Sequence, residues 1–145
     1  MRLPLPIDPE VRSRVDRLEL PWNELGIDPY GVSKDYLAAN FTALRFFYKH
    51  YFSVESHGLH HVPKRGRVML VGNHSGGFAL DGIMVIASMF FDMHPPRLAQ
   101  GMVEKFLNKF PFASQISSRL GHLTGIPEHA ERLLADERML MVFPE

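Results

Sequence analysis

The chain contains no cysteine. That excludes disulfides and thiolate metal sites, and it favours a reducing compartment. There is no excess of charge: 16 Lys and Arg balance 16 Asp and Glu, so electrostatics give no reason to expect nucleic acid as a partner. Long apolar runs are also missing. The longest nearly uncharged one, Gly82 to Phe91, is about half of the ~20 residues needed to span a bilayer. The N-terminus lacks the apolar core of a signal peptide. Any membrane contact is therefore expected to be peripheral, and the location cytoplasmic. His57, His60 and His61 lie in a surface connection and His122 and His129 are isolated, so no metal site is expected. Internal repeats and low-complexity tracts are absent.

The most informative stretch present is Val68-Met69-Leu70-Val71-Gly72-Asn73-His74-Ser75-Gly76-Gly77, followed by Asp81. Four apolar residues bounded by turn signals predict a buried strand, central in its sheet. The paired glycines permit a sharp turn and close approach to a ligand. Residues 82–91 are apolar enough for a buried helix, with its start near Phe78. Polar groups between the carboxyl end of a strand and the next helix stand where open α/β sheets bind ligands.

Residues 1–32 hold five prolines and predict an irregular arm with one short helix, capped by Asp8 and carrying Pro9 at its first position. Residues 33–145 form the expected α/β domain. Ser33 is a good N-cap for a helix whose Leu37, Phe41, Leu44, Tyr48 and Tyr51 share a face, widened by Phe46, Phe47 and Phe52. That helix either packs on the domain or rests at a lipid interface, with Arg45, Lys49 and His50 towards headgroups. Ser53 to Gly58 alternates like an edge strand. After the break at Pro95-Pro96, residues 97–100 predict a strand, 102–110 and 113–120 two short helices, and 122–124 a strand. Residues 127–137 predict a helix, and 139–143 a second buried strand ending in Pro144-Glu145. Strands alternating with helices indicate a largely parallel sheet with flanking helices. A core strand running into the last residue suggests a domain incomplete at its C-terminus.

Several chemistries fit these residues. Asp81 could fold back onto the His74 imidazole, fix its tautomer and raise the basicity of its free nitrogen. Such a base takes a proton from an alcohol as it attacks an acyl carbonyl. Alternatively, His74 caps the strand and Asp81 favours a helix N-terminus. Ser75 invites a nucleophile reading, but Asn73 stands where a Gly-x-Ser-x-Gly elbow needs its first glycine. If the last strand neighbours the one ending at Gly72, Glu145 and His74 share a sheet edge.

Together these blocks resemble the PlsC-like glycerolipid and lysophospholipid acyltransferases over residues 53–145. The resemblance is carried by Gly58 to Gly66 with Val62-Pro63, by Gly72-Asn73-His74-Ser75 with Asp81, and by Val142-Phe143-Pro144-Glu145. It implies that His74 is the general base, that Asp81 orients it, and that Glu145, with Phe143 and Pro144, helps bind the acceptor. Asn73, Ser75, Gly76 and Gly77 would line the substrate site. The resemblance also implies acyl-CoA or acyl carrier protein as co-substrate, a lipid acceptor, no further cofactor and no metal. The family's usual Asp falls five residues after its His, where this chain has Ala79 and Asp81 lies seven after. The middle block, Gly125-Ile126-Pro127-Glu128, lacks the usual arginine, which points to a neutral acceptor. The leading expectation is thus an O-acyltransferase at a membrane surface. The alternatives are a serine esterase using Ser75 and a catalytically silent lipid-binding fragment.

Overall fold

A computed structural model of the chain describes residues 6–72, 80–103, 119–120, 122–124 and 127–142. Helix α1 spans Pro9–Asp16 and α2 spans Lys34–Phe46, running into a π-helical turn at Phe47–Tyr51. A 3₁₀ turn at Leu59–His61 leads to strand β1, Val68–Val71. Then follow α3, Leu80–Phe91, β2, Ala99–Val103, β3, Leu123–Thr124, α4, Pro127–Ala135, and β4, Met139–Val142. The four strands make one parallel sheet in the order β1-β4-β2-β3. This is the expected α/β layer.

Each helix forms for a local reason. Asp8 caps α1 through Oδ1, which accepts from Glu10 N at 2.8 Å and Val11 N at 3.2 Å. Pro9 opens that helix, where its missing N–H costs nothing. Ser33 precedes α2 but makes no side-chain cap. At Phe47 the α-helical ladder widens, and Phe52 N donates to Phe47 O at 2.8 Å. The extra residue in that turn breaks the predicted stripe. Leu37, Phe41 and Tyr48 stay buried, whereas Phe46, Phe47, Tyr51 and Phe52 turn outward. Helix α4 ends two residues earlier than expected because Glu137 takes a left-handed φ of 60° and Arg138 N closes onto Leu133 O.

One apolar core joins these pieces. Val11 and Val15 of α1, Leu37 and Phe41 of α2, Phe90 and Phe91 of α3, Ala99 of β2, and Met139 and Met141 of β4 all belong to it. Phe41 stacks on Phe90 with centroids 3.9 Å apart and meets Phe91 edge-on. Leu18 and Val32 share the same core, so the proline-rich arm is packed on the domain over its described length. On the opposite face of the sheet, α4 contributes Leu133, fully buried like Leu140 of β4.

A buried ion pair fastens the arm to the sheet. Arg138, just before β4, donates through Nη2 to Asp28 Oδ2 and through Nε to Gln100 Oε1 at 2.8 Å. Oδ1 of Asp28 accepts from Tyr30 N and Val32 N, both at 2.9 Å. The Arg138 guanidinium also lies 4.8 Å from the Tyr30 ring centroid.

Three expectations need correction. The strand at Val68–Val71 is outermost among the described strands, not central. One of its faces is open, with Met69 49% and Val71 63% exposed. Helix α4 lies over β4 and leaves that face uncovered. Residues 53–58 form no strand. Val54 N bonds Tyr48 O, and Ser56 bonds the Tyr48 and Ser88 hydroxyls, so helices rather than a sheet satisfy this segment. Met102 and Val103, expected to open a helix, complete β2, because β4 and β3 pair with it on either side. The remainder of that predicted helix and most of the next lie outside the described residues.

Candidate active site

The carboxyl ends of β1 and β4 are adjacent. Val71 pairs with Val142 in parallel register, and Gly72 N donates to Val142 O at 3.2 Å, extending the ladder by one residue. Gly72 and Val142, the last described residues before Asn73 and Phe143, therefore lie side by side. Strands β1 and β4 are neighbours, as a shared edge for His74 and Glu145 requires. Residues Asn73, His74, Ser75, Gly76 and Gly77, and Phe143, Pro144 and Glu145, lie outside the described residues.

Asp81 stands in the first turn of α3, half-buried. Its Oδ1 accepts from Gly82 N at 2.8 Å. The described part of the helix begins at Leu80, and the start expected near Phe78 lies outside the described residues; a carboxylate in the first turn of a helix is favoured.

One histidine was undervalued. His122 looks isolated in sequence, yet its Nδ1 accepts from Gly101 N at 3.0 Å. A Cβ at position 101 would lie 3.2 Å from that Nδ1 and 3.3 Å from Met141 Cε, so glycine there makes room for the ring. The signal in the sequence is a glycine inside an apolar strand, which marks close approach of another group. Enclosure by protein pushes the imidazole below its ordinary pKa.

The sign of the linkage follows. The unfolded chain binds a proton at His122 near pH 6.5, and the folded chain binds it only at lower pH, so stability falls as pH drops below 6.5. Urea titrations at stepped pH should show this loss in the native chain and a smaller one in His122→Asn. Equal slopes in both would contradict it.

A cavity of about 190 Å³ opens at the other end of the sheet, lined by Leu18, Leu20, Arg65, Arg97, Leu98 and Met139. Arg97 spans its wall, donating to Pro63 O at 2.9 Å and Gly66 O at 2.7 Å. It lies by the amino ends of β1, β2 and β4, opposite the edge where strand-end chemistry is found.

A family model described as Acyltransferase matches residues 53–145. An uncharacterized protein of Mycobacterium tuberculosis, Rv0502, is 32% identical over 124 residues, covering 85% of this chain and 33% of its own length. Another of Mycobacterium leprae, ML2427, is 32% identical over 85% of this chain and 32% of its own length. The chain thus spans about a third of the length of the curated relatives it matches. No solved structure matches it.

Proposed function

We infer, from the premise that this chain belongs to the acyltransferase family, that its protein transfers a fatty acyl group from acyl-CoA or acyl carrier protein to a hydroxyl of a lysophospholipid or glyceride. The observation that carries this reading is the Val71–Val142 pairing, which starts the His74 and Glu145 segments side by side. His74 takes the proton from the acceptor hydroxyl as its oxygen attacks the thioester carbonyl. The tetrahedral centre collapses, the C–S bond breaks, and the thiolate takes the proton back from the imidazolium. Asp81, in the first turn of α3, orients the ring. Glu145 contacts the acceptor. The lack of an arginine in Gly125-Ile126-Pro127-Glu128 favours a neutral glyceride over a phosphorylated acceptor.

The test is acyl transfer by the whole protein, with palmitoyl-CoA as donor and monoacylglycerol or lysophosphatidic acid as acceptor. Transfer that is faster to the neutral acceptor is expected. Failure to acylate either one would overturn the reading.

A lipid acceptor places the protein at a membrane surface. Among the described residues no helix is long and apolar enough to cross a membrane, so contact through the surface is proposed. Phe46 (56% exposed), Phe47, Tyr51 and Phe52 form a run of touching rings, the kind of side chain that favours the interface between water and hydrocarbon. Arg45 does not face headgroups as expected. It is spent on Asp8 Oδ2 and Glu10 Oε2, each at 2.8 Å, leaving Lys49 and His50 beside the patch. Replacing both Phe46 and Phe47 by Ser should lower binding to phosphatidylglycerol vesicles about a hundredfold or more in co-sedimentation, since each buried ring contributes on the order of 1.5–3 kcal/mol. Unchanged binding would exclude this surface.

A further inference from the structure

We propose that the cavity at the amino end of the sheet binds a phosphomonoester, its dianion held by Lys64 and Arg97 and its carbon chain laid against Leu18, Leu98 and Met139. The site is built wholly from described residues and stands independently of the acyl-transfer reading. Charge is the first reason. Four cations, Lys64, Arg65, Arg97 and Arg138, line the cavity together with two carboxylates, Glu19 and Glu137. Most of these groups already have partners. Arg65 grips Glu19 through Nε at 2.8 Å and Nη2 at 2.7 Å. Glu137 holds Arg67 at 2.6 Å, and Arg138 is paired with Asp28. Lys64 and Arg97 remain, and neither forms an ion pair among the described residues.

Arg97 is the fixed member of this pair. Its Nη1 and Nη2 donate to Pro63 O and Gly66 O, which pins the guanidinium to the cavity wall. Those bonds use two of its five N–H donors, and the carbonyls they reach carry no net charge. Burial draws the group below its ordinary pKa, the mark of a cation that has lost water without gaining an anion. The carboxylate that acts on it through space is Glu19, which Arg65 already holds. Lys64 is exposed, so its flexible stem can close over a ligand that Arg97 keeps in place.

The remaining walls define the rest of the ligand. Leu18, Leu98 and Met139 are buried, and Pro95 and Pro96, which also line the cavity, have no N–H to offer. A bare inorganic ion leaves this apolar side uncovered, whereas a short carbon chain covers it. The volume of about 190 Å³ lies below the ~300–1,000 Å³ of pockets that take drug-sized ligands, so only a few carbons fit beside the anion. A phosphomonoester carries about −1.5 to −2 charges at pH 7, which matches two cations. A carboxylate matches one. Soluble phosphate esters and lipids with a bare phosphate headgroup present this group alike. The cavity lies by the amino ends of β1, β2 and β4, so the proposal assigns an accessory ligand rather than the acyl acceptor.

Calorimetric titration of the whole protein with butyl phosphate tests the site. Saturable binding is expected, about tenfold or more tighter than inorganic phosphate because the butyl chain leaves water, and about tenfold or more tighter than pentanoate because of its second charge. Lys64→Glu should weaken butyl phosphate about tenfold or more with an unchanged melting temperature, since Lys64 bonds to no described residue. No saturable binding, equal affinity for butyl phosphate and inorganic phosphate, or full binding by the folded variant would each overturn the proposal. A second measurement covers a variant that fails to fold. In the native protein the Nε–H resonance of Arg97 should shift with butyl phosphate and not with butanol, and no shift with butyl phosphate would sink the site. Competition then identifies the source. Displacement of butyl phosphate by phosphatidic acid vesicles upholds the site as one for a lipid headgroup. Displacement by glycerol 3-phosphate alone upholds it as one for a soluble ester. Displacement by neither would overturn the assignment of a phosphomonoester.

Discussion

Asp28→Ala destabilises the protein by about 3–5 kcal/mol, the cost of leaving one member of a buried ion pair without its partner. The side chains of Arg138 and Asp28 are 5% and 0% exposed, so water cannot replace the lost carboxylate. The substitution also strips the acceptor for Tyr30 N and Val32 N, and with it the turn that leads into α2. Native stabilities run at roughly 0.05–0.15 kcal/mol per residue, so the loss is a large fraction of the total. Urea unfolding measures it directly. A shift equivalent to less than 1 kcal/mol would show that the arm is held by its apolar contacts alone. Removing both charges, in Asp28→Asn with Arg138→Met, should recover much of the stability, because Asn keeps an acceptor for Tyr30 N and Val32 N and no charge is left buried and unpaired.

His74→Ala lowers acyl transfer by about 10²–10⁴-fold, the usual contribution of a positioned base. Asp81→Asn should cost less, since it leaves the base present but poorly held. Asp81→Asn should keep native stability, because Asn retains the Oδ1 that accepts from Gly82 N. The rate is read with palmitoyl-CoA and a glyceride in the whole protein. A His74→Ala enzyme with full turnover would remove the mechanism, and a loss confined to Ser75→Ala would favour an esterase.

Local signals in the chain were read well. Asp8-Pro9 announced α1, and the apolar runs at 68–71 and 139–142 announced β1 and β4. The strand at 122–124 was placed within one residue. What failed depends on neighbours that a linear reading does not contain. Val68-Met69-Leu70-Val71 looks like a central strand because all four residues are apolar, yet the chain gives β1 only one described partner and covers one of its faces. The stripe fails at Tyr51 and Phe52 because a single wider turn at Phe47–Tyr51 shifts the register there, whereas Phe46, before that turn, lies five residues after Phe41 and off its face. Asp28 and Arg138 are 110 residues apart, and nothing local in either announces the other. For the site, neighbouring β1 and β4 could be anticipated from the pairing of two apolar strands, each ending in polar groups. The Gly101–His122 contact is legible only in part: a glycine inside a strand marks a close approach, but nothing local says that the His122 ring makes it, in the place that a backbone carbonyl holds in a regular ladder.

The order of the strands has a consequence for how the protein is made. β4 is the last of the described strands to leave the ribosome, yet it lies between β1 and β2, which do not pair with each other. Until residues 139–142 emerge, β1 has no described partner strand, and only the β2–β3 pair and the helical layer around Phe41, Phe90 and Phe91 can assemble. Nascent chains halted before Met139 should therefore leave β1 unprotected, and should depend on chaperones to shield it.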